Sequence, residues 1–166
     1  QLDEAAARLG TTPESVAPRI ETLLDEIKAQ QGEIARLRRQ LARVQFESLL
    51  SDVETVGGAS VLVAEIPPTA PETLREMTDW FRDRVSSGVV VLGMVADGGK
   101  PQLIAAVTKD LTKRVHAGNI IRAIAQTIGG GGGGRPDMAQ AGGKDPDRLP
   151  EALRRASELA REALGS

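Results

Sequence analysis

Along the first third of the chain, apolar residues recur at helical spacing. Ile20, Ile27, Ile34 and Leu41 fall every seven residues, and Leu23, Gln30, Leu37 and Val44 stand three places after each. This is an a/d seam over four heptads with one polar d position. It predicts a helix over 18–50, roughly 50 Å long at 1.5 Å per residue. Upstream, "LDEAAARLG" predicts a short helix stopped by Gly10, and Thr12-Pro13 is a helix start, with Pro18 restarting or kinking that second helix. A seam of this kind has to bury against something: the short N-terminal helix, chain upstream, or a second copy. Gln30 and Gly32 weaken its middle, which predicts a short packing surface and not an extended rod.

Beyond residue 50 the period changes. "VETVGGASVLVAEI" predicts two strands around a Gly57-Gly58 turn, ended by Pro67, Pro68 and Pro71. A helix over 71–85 presents Leu74, Met77, Phe81 and Val85 on one face. "SGVVVLGMVA" is a continuous β-branched run and predicts a buried strand. After the Asp97-Gly98-Gly99-Lys100 turn, "PQLIAAVT" returns as the next strand. "AGNIIRAIAQTI" predicts a helix with Ile120, Ile124 and Ile128 on one stripe. "PDMAQAGG" is a candidate short edge strand. The closing helix starts near Pro150 and turns Leu153, Ala156, Leu159 and Ala163 inward. The expected organisation is a helical arm over 1–50 and a globular α/β (α+β) domain over 51–166, with about five strands and three helices.

Composition narrows the chemistry. The chain has 166 residues, 40% apolar and 27% charged, with a formal net charge of −2. It has no cysteine, which excludes disulfides and thiolate metal sites. No apolar run approaches the ~20 residues that span a bilayer, so no membrane partner is expected, and the cytoplasm is the expected compartment. The start, Gln1-Leu2-Asp3-Glu4, carries neither an initiator Met nor a signal peptide, and reads as part of a longer protein. Only Phe46, Trp80 and Phe81 are aromatic, and they fit a core better than a base-stacking platform. Charge is unevenly spread. Residues 1–34 hold seven acids and three bases; residues 97–144 hold seven bases (Lys100, Lys109, Lys113, Arg114, Arg122, Arg135, Lys144) and three acids. The basic stretch brackets a run of six glycines, 129–134, and argues for a polyanionic partner there.

Catalytic patterns are missing. His116 is the one histidine, so no His/Cys metal site can be assembled, and it lies beside Ala117-Gly118 with no nucleophile elbow near it. It is expected to be a turn residue between strand and helix. Gly129 and Gly134 have the glycine spacing of a phosphate-binding loop, but Arg135-Pro136 follows where Lys-Ser/Thr is needed, and the run ends a helix instead of opening one. The glycines themselves admit two readings. They are a helix cap followed by a flexible spacer, or an ordered loop whose bare N–H groups form an anion nest with Arg135 supplying a phosphate-matched fork.

"VHAGNIIRAIAQTIGGGGGGRPDMAQAGG" resembles the C-terminal domain of alanyl-tRNA synthetases, a domain type shared with DHH-family phosphoesterases. Ala117-Gly118, the glycines and the run from Arg135 to Gly143 carry the resemblance, and "GGGRPDMAQAGG" is specific to the synthetase branch. The phosphoesterase branch typically has a histidine where this chain has Arg135. "TPESVAPRIETLLDEIKAQ" also resembles the helical segment that joins the synthetase editing domain to this end.

The resemblance implies a non-catalytic module. In the family, aminoacylation belongs to an upstream class II core and removal of mischarged Ser and Gly to a zinc-bearing editing domain, whose ligands have no counterpart here. The C-terminal part helps bind the tRNA elbow and in some members dimerises. The expected tRNA contacts are Gly131, Gly132, Gly133, Gly134, Arg135, Lys144, Lys109, Lys113 and Arg114. The expected arm-packing or dimer contacts are Ile20, Leu23, Ile27, Ile34, Leu37, Leu41 and Val44. No cofactor or metal is expected in this segment, whereas the full enzyme would use ATP, magnesium and zinc. The partners implied are tRNA(Ala), the remaining synthetase domains and a second copy. Two other functions stand beside tRNA binding: a dimerisation module of the same enzyme, and the substrate-binding domain of a DHH-type nucleotide phosphoesterase.

Overall fold

The computed structural model describes residues 1–165, and the chain falls into two compact units that part between Arg38 and Arg39. The first holds helix α1 (Leu2–Arg8) and most of α2 (Val16–Leu49). Gly10, at φ +63°, provides the left-handed residue that stops the chain after α1. Pro18 neither restarts nor kinks α2. It lies in the first turn, where a missing N–H leaves no carbonyl unpaired. The heptad seam is formed but uncovered. Ile20, Ile27, Ile34, Leu37, Leu41 and Val44 are 43–68% exposed, and Leu23 is half-buried.

In the second unit the last turns of α2 (39–49) belong to the core, because Ala42 and Phe46 are buried there. This unit contains β1 (Glu54–Val56), β2 (Ala59–Glu65), α3 (Pro71–Arg84), β3 (Gly88–Val95), β4 (Pro101–Val107), α4 (Ala117–Ala125), β5 (Gly131–Gly134), β6 (Met138–Gly142) and α5 (Leu149–Gly165). The six strands form one mixed sheet in the order β1-β2-β3-β4-β6-β5. Gly57 and Gly58, at φ +56° and +80°, give the tight turn between β1 and β2. β2 and β3 are parallel, as their crossover through α3 requires, and every other pair is antiparallel.

Both faces of the central strands are covered. On one face Val61, Val89, Val91, Leu103 and Ala105 pack against Ile121 and Ile124 of α4 and Leu153 and Ala156 of α5. On the other, Leu62, Val90, Leu92 and Ile104 pack against Leu74, Met77 and Phe81 of α3 and against Phe46. Every residue of β3 except Val95 is buried, which accounts for its unbroken apolar run. Trp80 is half-buried, edge-on to Phe46 at 5.7 Å, with the Arg43 guanidinium 4.6 Å from its ring centre. The three aromatics are core residues, not a stacking platform.

The glycine run and its tail differ from the sequence expectation. Among the described residues there are six strands, not five, because Gly131–Gly134 is itself a strand. "MAQAG" is not the edge; β6 lies between β4 and β5, and the glycine strand is the edge.

Candidate nucleic-acid interface

Gly129, at φ +63°, turns the chain after α4, and β5 then runs antiparallel to β6. The glycines of this segment have unequal surroundings. A β-carbon on Gly130 would stand 1.9 Å from the Gly142 carbonyl oxygen, one on Gly132 2.3 Å from that of Gln140, and one on Gly134 2.5 Å from that of Met138. Gly143 is equally confined, 2.3 Å from the Ile128 oxygen. These four positions exclude any side chain. Gly131 would meet nothing within 4 Å, Gly133 only the Arg122 guanidinium at 4.0 Å, and Gly142 only the Pro101 oxygen at 4.0 Å. Their backbone φ values are ordinary for strands. Gly131 pairs with Gly142, Gly133 with Gln140, and Gly142 with Gln102, so all five residues share one face. α3 covers β3 and β4 on that face, leaving Gln140, Gly131 and Gly142 exposed beyond it.

The backbone of the glycines is ordered, as one of their two readings has it, but runs as the extended strand β5 over Gly131–Gly134, not as a nest. The amides of Gly129, Gly130, Gly143, Lys144 and Asp145 all donate to backbone carbonyls, those of Lys144 and Asp145 both to Ile128. The start of α4 is closed in the same way. The Ala117 amide donates to the Pro136 oxygen and the Gly118 amide to the Arg135 oxygen, at 2.9 and 3.2 Å. His116 is the N-cap of α4, its Nδ1 accepting from the Asn119 amide at 3.3 Å. Gly118 has no room for a β-carbon, which would lie 2.6 Å from the Gly134 oxygen. The Ala117-Gly118 pair and the Arg135-Pro136 turn are thus two halves of one contact, although they are far apart in sequence.

The basic residues named from the sequence do not form a single cluster. Arg135 lies in the β5–β6 turn with its side chain 77% exposed, and its Nε and Nη2 reach the Asp137 carboxylate at 3.2 and 3.4 Å. Lys109, Lys113 and Arg114 follow β4, whose last residues pair near this same end of the sheet. Lys109 and Lys113 are exposed, but Arg114 Nη2 donates to the Leu164 carbonyl at 3.0 Å and so ties down the end of α5. A carboxylate stands beside Lys109. Ser87 Oγ donates to Asp110 Oδ2 at 2.6 Å, and with Thr108 this holds the Asp110 carboxyl below the usual carboxylate range. Lys144 is at the opposite end, beyond β6. The four residue steps of β6 separate the two ends by about 13 Å.

At the Lys144 end the structure brings in residues that the sequence pattern did not single out. A cleft of about 530 Å³ is bounded by Lys100, Gln102 and Lys144 over a floor of Gly129–Gly131, Gly142 and Gly143. It adjoins a second cleft of about 360 Å³, where Gln102 and Gln140 stand over Gly131 and Gly142 beside Leu74. The sequence signal for Gln140 is its outward place in the alternating "MAQAG", between buried Ala139 and Ala141. Among the described residues, no group of three or more His, Cys, Asp or Glu side chains is arranged to hold a metal ion. None of the helices in this set is long and apolar enough to cross a membrane.

Residues 58–162 match the DHHA1 domain. The chain belongs to this family. It is 46% identical over 166 residues to an alanine–tRNA ligase of Roseiflexus castenholzii, a match covering 99% of the chain but 18% of that relative. It is 44% identical over 153 residues to the alanine–tRNA ligase of Ralstonia nicotianae, covering 92% of the chain and 17% of the relative. Among solved structures, the C-Ala domain of Aquifex aeolicus alanyl-tRNA synthetase superposes with a TM-score of 0.58 at 35% identity, covering 69% of this chain and 98% of that domain. RecJ of Thermus thermophilus has a TM-score of 0.54 at 16% identity, a likeness of fold. The DHHA1 chain therefore spans less than a fifth of the length of the ligases it matches, and corresponds to their C-Ala segment and not to a whole enzyme.

Proposed function

We propose that this DHHA1 chain is the tRNA-contacting C-terminal module of an alanine–tRNA ligase, acting in the cytoplasm, where it holds the elbow of tRNA(Ala) while other domains aminoacylate and edit. The observation that carries this reading is the match to the ligases over 99% of the chain, together with a C-Ala domain that is covered almost whole. The mode of contact follows from the surface. The described surface has lysines at both ends of the sheet edge, an exposed arginine, Arg135, at one of them, and no aromatic platform, which favours phosphate and ribose contacts over base stacking. ATP, magnesium and zinc are assigned to the remainder of such an enzyme.

The test is an anisotropy titration of a labelled tRNA(Ala) transcript with this chain at several salt concentrations. Binding that weakens steeply with salt is expected. Absence of binding at low salt overturns the reading. Arg135→Ala is expected to weaken binding severalfold with the fold retained, since its partner Asp137 is a surface carboxylate.

A second reading has its own observation. The exposed seam from Ile20 to Val44 is an apolar helix face with no cover among the described residues, which favours a dimerisation role. Light scattering tests it. A mass near 35 kDa is expected for a dimer of this 17.5 kDa chain, and a monomer at all concentrations removes that role.

A further inference from the structure

The sheet edge holds three glycines that the fold does not require. Gly131, Gly133 and Gly142 have ordinary strand backbones and open space, or van der Waals contact at 4.0 Å, where a β-carbon would go. Glycine weakens a strand, and where packing does not demand it, it marks the close approach of another backbone or a ligand. The three share one face with Gln102 and Gln140, the face bearing the two adjoining clefts. Lys100 and Lys144 flank the larger cleft. The Arg122 guanidinium stands by Gly133 on the other side. No carboxylate lines either cleft among the described residues. A surface that is bare in the middle, amide-bearing beside it and cationic at its ends is complementary to a sugar–phosphate strand.

We infer that the open glycine face is a nucleic-acid groove in which a ribose–phosphate strand lies against Gly131 and Gly142, with phosphates at Lys100 and Lys144 and ribose hydroxyls at Gln102 and Gln140. This rests on the RNA-binding role proposed for the chain and moves its centre from Arg135 to the other end of the sheet. The bare backbone lets the riboses approach closely. The two glutamine side chains each offer donor and acceptor atoms, which suit the 2′-hydroxyl.

The experiment measures binding of a tRNA(Ala) transcript, and of its all-deoxy counterpart, to the native chain and two variants. Gly131→Val fills the groove without touching the core. It is expected to weaken transcript binding at least about tenfold, with the melting temperature unchanged or raised. Lys100→Ala/Lys144→Ala alters two exposed side chains and keeps the question answerable should the valine disturb β5. It is expected to lower the slope of log K against log salt by about 1.4–1.8. The deoxy counterpart is expected to bind more weakly than the transcript. Native-like affinity in the valine variant and a native salt slope in the lysine variant, with the native chain binding, overturn the groove and leave the RNA reading standing. Equal binding of the deoxy counterpart overturns the role given to Gln102 and Gln140. No binding by the native chain overturns the RNA reading itself, and the groove with it.

Discussion

The two faces of the glycine segment are built from the same residue under opposite constraints. On the packed face, Gly130, Gly132 and Gly134 have a backbone oxygen 1.9–2.5 Å from where a β-carbon would be. Glycine is there because β6 approaches too closely for anything larger. On the open face, Gly131 has empty space and Gly133 has contact only at 4.0 Å. Each of these costs the strand about 0.5–1 kcal/mol relative to alanine with no packing return. A homopolymer stretch thus holds two kinds of position, one fixed by the fold and one free of it, and only the second can be set by a partner.

The largest break in this comparison is expected on the packed face. Gly130→Ala forces a β-carbon onto the Gly142 oxygen, and the obstacle is backbone, which cannot rotate aside. The expected loss is on the order of 3 kcal/mol, read as a shift of the urea midpoint at constant slope. A loss below about 1 kcal/mol would mean that β5 yields easily and that the packed face is not rigid.

Gly118→Ala probes a different close approach, that of α4 to β5. The added carbon would lie 2.6 Å from the Gly134 oxygen and 2.9 Å from the His116 ring. Alanine also gains up to ~1 kcal/mol of helix propensity over glycine. The net expectation is a smaller loss, about 1–2 kcal/mol. Combining it with Gly130→Ala, whose obstacle is the Gly142 oxygen of β6, should give close to the sum if the two clashes are independent and less if both act by displacing β5.

Legibility in the sequence divides along the same line. The apolar run of β3 and the helical stripe of Ile120 and Ile124 announced themselves, because burial selects apolar side chains at the positions each element turns inward; Ile128 is buried too, but in the turn past α4, which ends at Ala125. β5 did not, because four glycines have no side-chain period and a composition that argues against a strand. Its strand identity comes from pairing with β6 and packing on α4, both long-range. The nest, one of the two readings of the glycines, gave way to an extended strand for a related reason. Bare amides suit an anion only if nothing else claims them, and here carbonyls of the same chain claim those of Gly129, Gly130 and Gly143. The heptad seam was legible as a seam, but its cover was not, since a periodic stripe specifies that it must be buried without specifying by what.

Arg135→Ala separates the turn's backbone role from its side-chain role. The Arg135 carbonyl caps α4 whatever the side chain, and the exposed pair with Asp137 is worth at most about 1 kcal/mol. Stability is expected to change by less than about 0.5 kcal/mol, by thermal melt. A loss near that of Gly118→Ala would place the guanidinium in the fold.

The one effect expected to lie on the stabilising side is the sharpest test of the open face. Gly142→Thr places a β-branched side chain on an exposed strand position whose nearest atom is the Pro101 oxygen, 4.0 Å from the new β-carbon. Threonine favours a strand and glycine disfavours it, on a scale spanning about 1 kcal/mol. The unfolded chain also loses freedom when glycine is replaced. Both effects point the same way, so stability should stay level or rise by up to about 1 kcal/mol. Gly142 directly opposes Gly131, and a rise would mean that glycine here is held against the interest of the fold. A fall of 1 kcal/mol or more would show an unseen packing demand, and the distinction between the two faces would disappear.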